Sequence, residues 1–253
     1  SWYAALEKRH LSSLTFAEVR RAVIALSSFY VERRGRLVEG AALDGRGKRA
    51  AFALFYAPLH FLTLQGIVRH LGLGAPAPRR ILDLGCGTGV SGAAWALEAA
   101  PRPELIGIDR NGWAVEETRW TYTSLELRGS ATRGRLERLP NMREGDAVLT
   151  AFTANEMVQA DRDRLLSRLL QASRGGVSVL VVEPIARRGF RWWDEWRQAF
   201  HAQGGREDEW RFPANLPDTL LLFSKASGMD HRELKAKSLW MRSTRQRAGR
   251  SSS

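Results

Sequence analysis

Apolar and polar positions change in blocks along the chain, and from residue 81 onward the blocks follow a strand, turn and helix order. The run at 177–184 is almost wholly apolar, which is typical of a strand covered on both faces of a parallel sheet. The segments between such runs carry apolar residues at helical spacing. We therefore predict strands, separated by helices, at 81–85, 105–109, 131–136, 147–152, 177–184 and 219–223.

A helical pattern precedes this region. Thr15 opens a capping box in front of a helix, and residues 51–68 form a long run without charge. The length of that run is compatible with a membrane-spanning helix. Pro58 and the polar residues within it favour a kinked, buried helix pair instead, with Gly72 or Gly74 as the stop.

These patterns predict an α/β fold, a Rossmann-like, doubly wound, mostly parallel seven-stranded sheet with an N-terminal helical cap. We expect a basic helical cap at 1–75, the sheet domain at 76–226, and a basic extension at 227–253 whose end is disordered.

Charge and cysteine content narrow the function. The net charge is +12, and the excess lies in residues 1–80 and 225–253, around a nearly neutral centre. Such basic flanks are suited to binding RNA, DNA or an anionic membrane surface. The alternative is that they form a solvated basic surface without such a partner. The single cysteine, Cys86, makes no internal disulfide and no cysteine-based metal site. We expect a cytoplasmic protein with an RNA or ribosomal partner, no metal and no membrane.

The stretch ILDLGCGTGV at 81–90 places three glycines on alternate positions directly after a strand. Glycine weakens regular structure, so the bare main chain at this turn must serve another purpose. A strand that turns directly into a helix leaves N–H groups unpaired, and glycines let a ligand lie against them. Because open α/β sheets bind cofactors at the carboxyl ends of their strands, we predict a cofactor site here.

Spacing and neighbouring acids narrow the cofactor class. Gly85, Gly87 and Gly89 do not fit the G-x-G-x-x-G fingerprint of dinucleotide sites. Asp83 lies in the strand end, where a carboxylate suits an ammonium group and is unfavourable beside a pyrophosphate. Asp109 ends the second strand and can bind two ribose hydroxyls. The pattern favours a ligand with a ribose and a cationic amino-acid end.

ILDLGCGTG followed by GIDRN resembles the class I S-adenosylmethionine-dependent methyltransferases over about residues 80–225. The resemblance implies an enzyme that transfers a methyl group from S-adenosylmethionine. It assigns Asp83, Gly85, Gly87 and Gly89 to the methionine part, Asp109 to the ribose, Arg110 and Asn111 to the adenine side, and Cys86 and Phe152 to the same cofactor site.

One position departs from that family. Members often carry an acid after the third strand that contacts the adenine amine, and Arg135 stands there. Arginine cannot accept a hydrogen bond, so Glu137 or the main chain would have to do so.

A second resemblance lies further along the chain. AFTANEM and VVEPIARRGFRWWDEWRQAF resemble the methyltransferase-like proteins of the mitochondrial and bacterial small ribosomal subunit. Known members often carry cysteines for an iron–sulfur cluster. This chain lacks them, which makes it a divergent, cluster-free relative in that reading.

Candidate catalytic residues follow the fourth and fifth strands: Asn155, Glu156 and Glu183. The sulfonium of S-adenosylmethionine is a good leaving group, so the protein mainly has to place a nucleophile in line with the methyl carbon. Glu156 can position or deprotonate a substrate. Alternatively, these residues cap the next helix, or Glu156 pairs with an arginine. Cys86 lies in the cofactor turn, which argues against methylation at carbon 5 of a pyrimidine.

The basic flanks favour RNA, including ribosomal RNA, as the methyl acceptor. Two alternatives stay open: a small-molecule methyltransferase in which residues 1–74 form a lid, and a non-catalytic ribosome-assembly factor that retains the fold. Trp192, Trp193 and Trp196 follow helical spacing, which favours core positions for two of them, with stacking on bases as the alternative.

Overall fold

The computed structural model describes residues 1–32, 43–135, 140–185, 191–228 and 231–243, of which 29–32 are described by their main chain only. The chain divides into two compact units, Ser1–Thr63 with Arg211–Leu234 and Leu64–Trp210 with Lys235–Ser253. This division differs from the predicted limits after residues 75 and 226, because a segment near the C-terminus groups with the N-terminal helices. The predicted disordered end and Glu137 lie outside the described residues.

The first unit is helical. Its helices are α1 (Trp2–His10), α2 (Phe16–Glu32), α3 (Arg46–Ala51), the start of α4 (Ala57–Leu71) and α9 (Asp218–Ala226). The capping box predicted before α2 is present: the main-chain N–H of Thr15 donates to Glu18 Oε2 at 2.7 Å, and the Glu18 N–H donates back to Thr15 Oγ1 at 3.3 Å. These two bonds satisfy donors that a helix start leaves open, which is why α2 begins here.

The uncharged run forms α3, a π-helical turn at Phe52–Tyr56, and α4. Arg46–Leu71 is long and apolar enough to cross a membrane, with a mean hydropathy of 1.5 in its most apolar window, but 61% of that window is buried in the protein. Such burial is typical of a core helix. The π turn ends two residues before Pro58, and Gly72, with φ of +63°, follows the end of α4 as predicted.

The second unit is built on the sheet. Its strands are β1 (Arg80–Leu84), β2 (Glu104–Asp109), β3 (Gly129–Arg133), β4 (Ala147–Ala151), β5 (Ser178–Glu183), β6 (Arg206–Pro213) and β7 (Glu233–Met241), of which β6 and β7 each reach into the first unit. The intervening helices are α5 (Val90–Glu98), α6 (Gly112–Ser124), α7 (Gln159–Arg174) and α8 (Arg191–Ala202).

The sheet has the order β3-β2-β1-β4-β5-β7-β6. Strands β1 to β5 are parallel, and β7 runs antiparallel to β5. The order reverses at β1, whose neighbours are β2 and β4, so a crevice opens at the carboxyl end of β1. The strands in the centre are buried on both faces, as their apolar runs predict. The predicted Rossmann-like, mostly parallel seven-stranded fold is confirmed.

The last predicted strand is wrong. Residues 219–223 lie in α9, with Leu220 and Phe223 buried and Leu222 exposed. A short apolar run does not separate a strand from one face of a helix. The two remaining strands, β6 and β7, escaped prediction because REDEWRFP and ELKAKSLWM carry charged residues among their apolar ones.

Two further details of α7 and α8 follow from packing. Asp161 does not cap α7: Val158 holds the cap position without a side-chain bond, and Asp161 pairs with Arg164 inside the helix. The tryptophans of α8 are all buried, so they belong to the core and the stacking alternative is wrong: Trp192, Trp193 and Trp196.

Candidate active site

The glycine turn after β1 has the backbone that only glycine adopts readily. Gly85, Gly87 and Gly89 have φ angles of 69°, 54° and 76°. The N–H groups of Gly85 and Cys86 both donate to the Ile108 carbonyl, at 2.8 and 3.1 Å. The turn is therefore fastened to β2, and Gly89 leads directly into α5.

Packing within the protein also requires glycine at two of these three positions. A Cβ on Gly85 would lie 2.3 Å from Thr153 Cγ2, and a Cβ on Gly89 would lie 2.6 Å from Thr118 Cγ2. The sequence argument, which explained the bare main chain by a ligand alone, is therefore incomplete. The side chains of Thr153, after β4, and Thr118, on α6, pack against the turn and fix its shape.

Asp83 lies under the turn and is 1% exposed. Its Oδ2 accepts a hydrogen bond from the Gly92 N–H at 2.9 Å, which fastens α5 to β1. Burial raises the pKa of Asp83 to about 7, the Gly92 bond opposes the rise, and the nearby charge of Asp109 adds to it. Asp83 therefore supports the turn through α5.

Asp109 joins β2 to the same turn. Its Oδ2 accepts from the Gly87 N–H at 2.9 Å, and its Oδ1 accepts from the Asn111 N–H at 2.8 Å. Burial raises the pKa of Asp109, and these two bonds, together with the charge of Arg110, work against that rise. The predicted contact of Asp109 with the ribose stays a prediction.

The two residues assigned to the adenine side differ in their surroundings. The Asn111 side-chain oxygen accepts from the N–H groups of Trp113 and Ala114, at 3.0 and 3.3 Å, and caps α6. Arg110 is exposed, and its charge lowers the pKa of both Asp109 and Glu156. Arg135 is exposed beyond the end of β3, and its predicted place at the adenine stays a prediction.

Cys86 is 5% exposed in the turn, with its Sγ 3.4 Å from Thr118 Oγ1. Burial raises the pKa of the Cys86 thiol well above its ordinary value, and the charges of Asp83 and Asp109 add to the rise. A reactive thiolate needs the opposite surroundings. Cys86 is a packed residue of the turn, in keeping with the argument against a cysteine nucleophile.

The end of β4 carries strain and a contact that the sequence did not reveal. Phe152 has φ of +58°, which a bulky residue rarely adopts, and its N–H donates to the Val182 carbonyl at 2.8 Å. The next residue, Thr153, donates through Oγ1 to the carbonyls of Gly85 and Ala151, at 3.1 and 3.0 Å. Thr153 thus ties the β4 end to the glycine turn.

Thr118 makes the matching tie from α6. Its Oγ1 donates to the Gly87 carbonyl at 2.8 Å, and the side chain is fully buried. Sequence reasoning missed both threonines, because a threonine in a helix or after a strand has no signature that distinguishes this contact from an ordinary one.

The three predicted catalytic residues meet at the ends of β4 and β5. Ala154–Glu156 forms a 3-10 turn, and the Asn155 N–H donates to Glu183 Oε1 at 3.3 Å. Glu156 is partly exposed. Burial raises the pKa of Glu156 to about 7, Arg110 lowers it and Asp109 raises it further. Such a carboxyl group changes charge near neutral pH.

Glu183 is fully buried, in contrast to Glu156. Burial raises the pKa of Glu183 to about 8; the amide groups of Asn155 and Ala154 oppose the rise, and Glu156 adds to it. Among the described residues, its Oε2 has no hydrogen-bond partner. Glu183 is therefore placed to support the turn that carries Glu156, and its burial argues against contact with a large acceptor.

The lining of this crevice fits the cofactor that the sequence implies. Asp109 at the end of β2 and Glu156 after β4 are partly exposed here, and the buried Asp83 and Glu183 lie behind them. The four carboxyl groups interact electrostatically, and each has a raised pKa. A ligand that carries a sulfonium and an ammonium group compensates such a cluster. In the part of the chain that the structure describes, no group of three or more His, Cys, Asp or Glu side chains is arranged to hold a metal ion.

Comparisons with known proteins connect this fold and this crevice with methyltransferases. Residues 81–176 match a family described as a methyltransferase domain. A ribosomal RNA large subunit methyltransferase G from Streptomyces coelicolor is 46% identical over 92 residues, which are 35% of this chain and 23% of that protein. The chain therefore matches only about a quarter of the length of this curated relative.

Solved structures share the fold. The magnesium protoporphyrin IX methyltransferase of Synechocystis PCC 6803, solved with bound S-adenosylmethionine, has a TM-score of 0.51 and 11% identity over 87% of this chain and 96% of its own. The mitomycin 7-O-methyltransferase MmcR has a TM-score of 0.52 and 14% identity over 95% of this chain and 72% of its own. These structures show the fold, and the match over residues 81–176 supports a methyltransferase domain with S-adenosylmethionine as its cofactor.

Proposed function

We propose that this protein transfers the methyl group of S-adenosylmethionine to an RNA acceptor, with Glu156 as the general base. The observation that carries the proposal is the position of Glu156: it is partly exposed, near the end of β4, and electrostatically coupled to Asp109 of the cofactor crevice. A base with a pKa of about 7 accepts a proton efficiently near neutral pH. The bound cofactor supplies an activated methyl group on a positively charged sulfonium.

The roles of the other residues follow from their contacts. The main chain at Gly85–Gly89 binds the methionine end, and Asp109 binds the ribose hydroxyls in place of part of its present main-chain bonding. With cofactor and acceptor bound, Glu156 would take the proton that the acceptor nitrogen or oxygen loses as it bonds to the methyl carbon, while the bond between that carbon and the sulfonium sulfur breaks and leaves a neutral thioether. Arg110 keeps the pKa of Glu156 from rising further. Glu183 positions the turn through the Asn155 N–H.

RNA as the acceptor rests on two independent supports. The net charge of +12 favours a polyanionic partner. The Streptomyces coelicolor relative, by its name, methylates ribosomal RNA of the large subunit. A place on a ribosomal subunit, like the small-molecule and non-catalytic alternatives, stays a prediction.

The test supplies labelled S-adenosylmethionine to the protein together with total RNA or a small-molecule extract. We expect label in RNA, lost in Glu156→Gln and retained in Glu116→Gln, which changes an exposed acid on α6. Cofactor binding of each variant is measured alongside. Label in small molecules instead of RNA would overturn the RNA acceptor, and no transfer despite cofactor binding would favour the non-catalytic factor.

A further inference from the structure

Arginine side chains gather along the free edge of the sheet. Strand β3 is the outermost strand in the order of the described sheet. Arg128 precedes it, Arg133 ends it and Arg135 follows it, and all three are exposed. The rise of a strand, about 3.4 Å per residue, spreads Arg128 and Arg133 over about 17 Å. We call this set, with Arg110 and Arg119, the arginine edge.

Two contacts hold the arginine edge together. Arg119, exposed on α6, donates from Nε and Nη2 to the Ala131 carbonyl in the middle of β3, at 3.0 and 2.7 Å. Arg133 Nε donates to the Arg110 carbonyl at 3.0 Å. The guanidinium groups of Arg119 and Arg133 are thereby held beside the strand.

Few acids offset this charge. The exposed glutamates beside the arginine edge are Glu116 on α6 and Glu126 in the turn before β3. Glu117 is buried, and the Asp109 carboxylate accepts main-chain hydrogen bonds at the glycine turn. Among the described residues of this region, five exposed arginines thus stand against two exposed glutamates and the partly exposed Glu104, which begins β2 beside Arg128, so the edge is locally positive.

The arginine edge reaches the candidate active site. Arg110 lies at its end, and the charge of Arg110 acts on both Asp109 and Glu156. A polyanion that follows the strand therefore arrives next to the proposed base. Exposed arginines also occur on α7, but α7 packs beside β5, and three strands separate β5 from β3 in the sheet order.

We propose that the arginine edge binds the phosphate backbone of the RNA acceptor and leads it to Glu156. The inference rests on the proposed RNA acceptor and names the surface that would bind it. Arginine forms paired hydrogen bonds with phosphate oxygens and keeps its charge at every relevant pH. A run of such contacts gives affinity without reading sequence, and positions the chain that carries the target base.

The test measures how a fluorescent single-stranded RNA of mixed sequence binds to the full chain. The salt concentration is varied from roughly 50 to 300 mM, a range over which the screening of charges increases strongly. The test variant is Arg128→Gln with Arg133→Gln, and the matched control is Arg164→Gln with Arg168→Gln on α7. We expect the test variant to weaken binding roughly 5- to 10-fold. The slope of log affinity against log salt should fall by about 1.4, or about 0.7 for each lost contact.

The control variant should keep the affinity and slope of the unmodified protein. Equal losses in both variants, or no loss in either, would overturn the proposal. A change of oligomeric state in the test variant with unchanged RNA binding would assign the edge to a second copy of the chain and also overturn it. Cofactor affinity is measured separately, so failure of the arginine edge is distinguishable from failure of the methyltransferase function.

Discussion

The main-chain N–H of Asn155 donates to Oε1 of Glu183 at 3.3 Å, which joins the turn after β4 to the end of β5. The accepting carboxyl is fully buried, and burial raises its pKa to about 8. At neutral pH, Glu183 therefore holds its proton for most of the time and still accepts this bond. The turn that carries Glu156 is therefore held by a carboxyl group that is mostly uncharged in the folded protein.

This arrangement predicts that stability falls as pH rises. Unfolded glutamate ionises near pH 4.3 and folded Glu183 near 8, so the unfolded chain binds fewer protons between these values. The stability is fully present below about pH 4 and decreases through pH 8, by up to about 5 kcal/mol from Glu183 alone. Glu156 and Asp83 shift in the same direction. Urea unfolding at a series of pH values between these limits measures the decline.

The matched variant is Glu183→Gln, which keeps an oxygen for the Asn155 N–H and cannot ionise. Its free energy of unfolding should decline less steeply with pH than that of the unmodified protein. Parallel curves for the two proteins would show that Glu183 is ionised in the folded state.

The glycine turn predicts a sharp contrast between two alanine substitutions. Gly85→Ala places a Cβ 2.3 Å from Thr153 Cγ2 at a φ of 69°, and we expect a loss of about 2–4 kcal/mol in the free energy of unfolding. Gly112→Ala, at the start of α6, adds a Cβ with no atom within 4 Å and should be neutral or slightly stabilising. Denaturant unfolding compares them. Equal effects would contradict the packing described at Gly85.

Thr118 should link stability to cofactor binding. Thr118→Val removes the hydroxyl that donates to the Gly87 carbonyl at 2.8 Å and keeps the shape of the side chain. We expect a loss of about 1 kcal/mol in stability and a weaker affinity for S-adenosylmethionine. Thr123→Val, on the exposed part of the same helix, serves as the control. An unchanged cofactor affinity in Thr118→Val would show that the turn holds its shape without this bond.

The general base predicts the pH dependence of turnover. Glu156 has to be ionised to accept a proton, so the rate should rise with an apparent pKa of about 7. In Glu156→Gln we expect kcat to fall about 10²- to 10⁴-fold, with cofactor affinity nearly unchanged. Single-turnover methyl transfer across pH measures both. A rate that stays flat through neutral pH in the unmodified protein would rule out this role.

The sequence predicts those parts of the molecule in which the hydrophobic pattern and the chemistry of the residues in one short segment indicate the same structure. Apolar runs indicate the central parallel strands, and Asp83, Asp109 and the alternating glycines indicate the crevice. Residues 219–223 were misjudged because four apolar residues in a row fit a strand and a helix equally. Strands β6 and β7 carry charges that a solvent-exposed segment would also show.

Other features of the site depend on distances that a linear pattern does not contain. Thr153 and Gly85 are 68 positions apart, and Thr118 and Gly87 are 31 apart. The full burial of Glu183 and the partial exposure of Glu156 give two similar acids different surroundings. The packed structure is therefore needed to distinguish Glu183, which positions the turn, from Glu156, the proposed base.

Isothermal titration calorimetry of the folded protein with S-adenosylmethionine and with its demethylated product tests the central claim most directly. The account predicts saturable heat for both ligands, and a loss of at least about tenfold in affinity for Asp109→Asn, which weakens the proposed ribose contact. Absence of heat for both ligands, with unfolding curves showing intact protein, would contradict the cofactor site and the methyl transfer built on it.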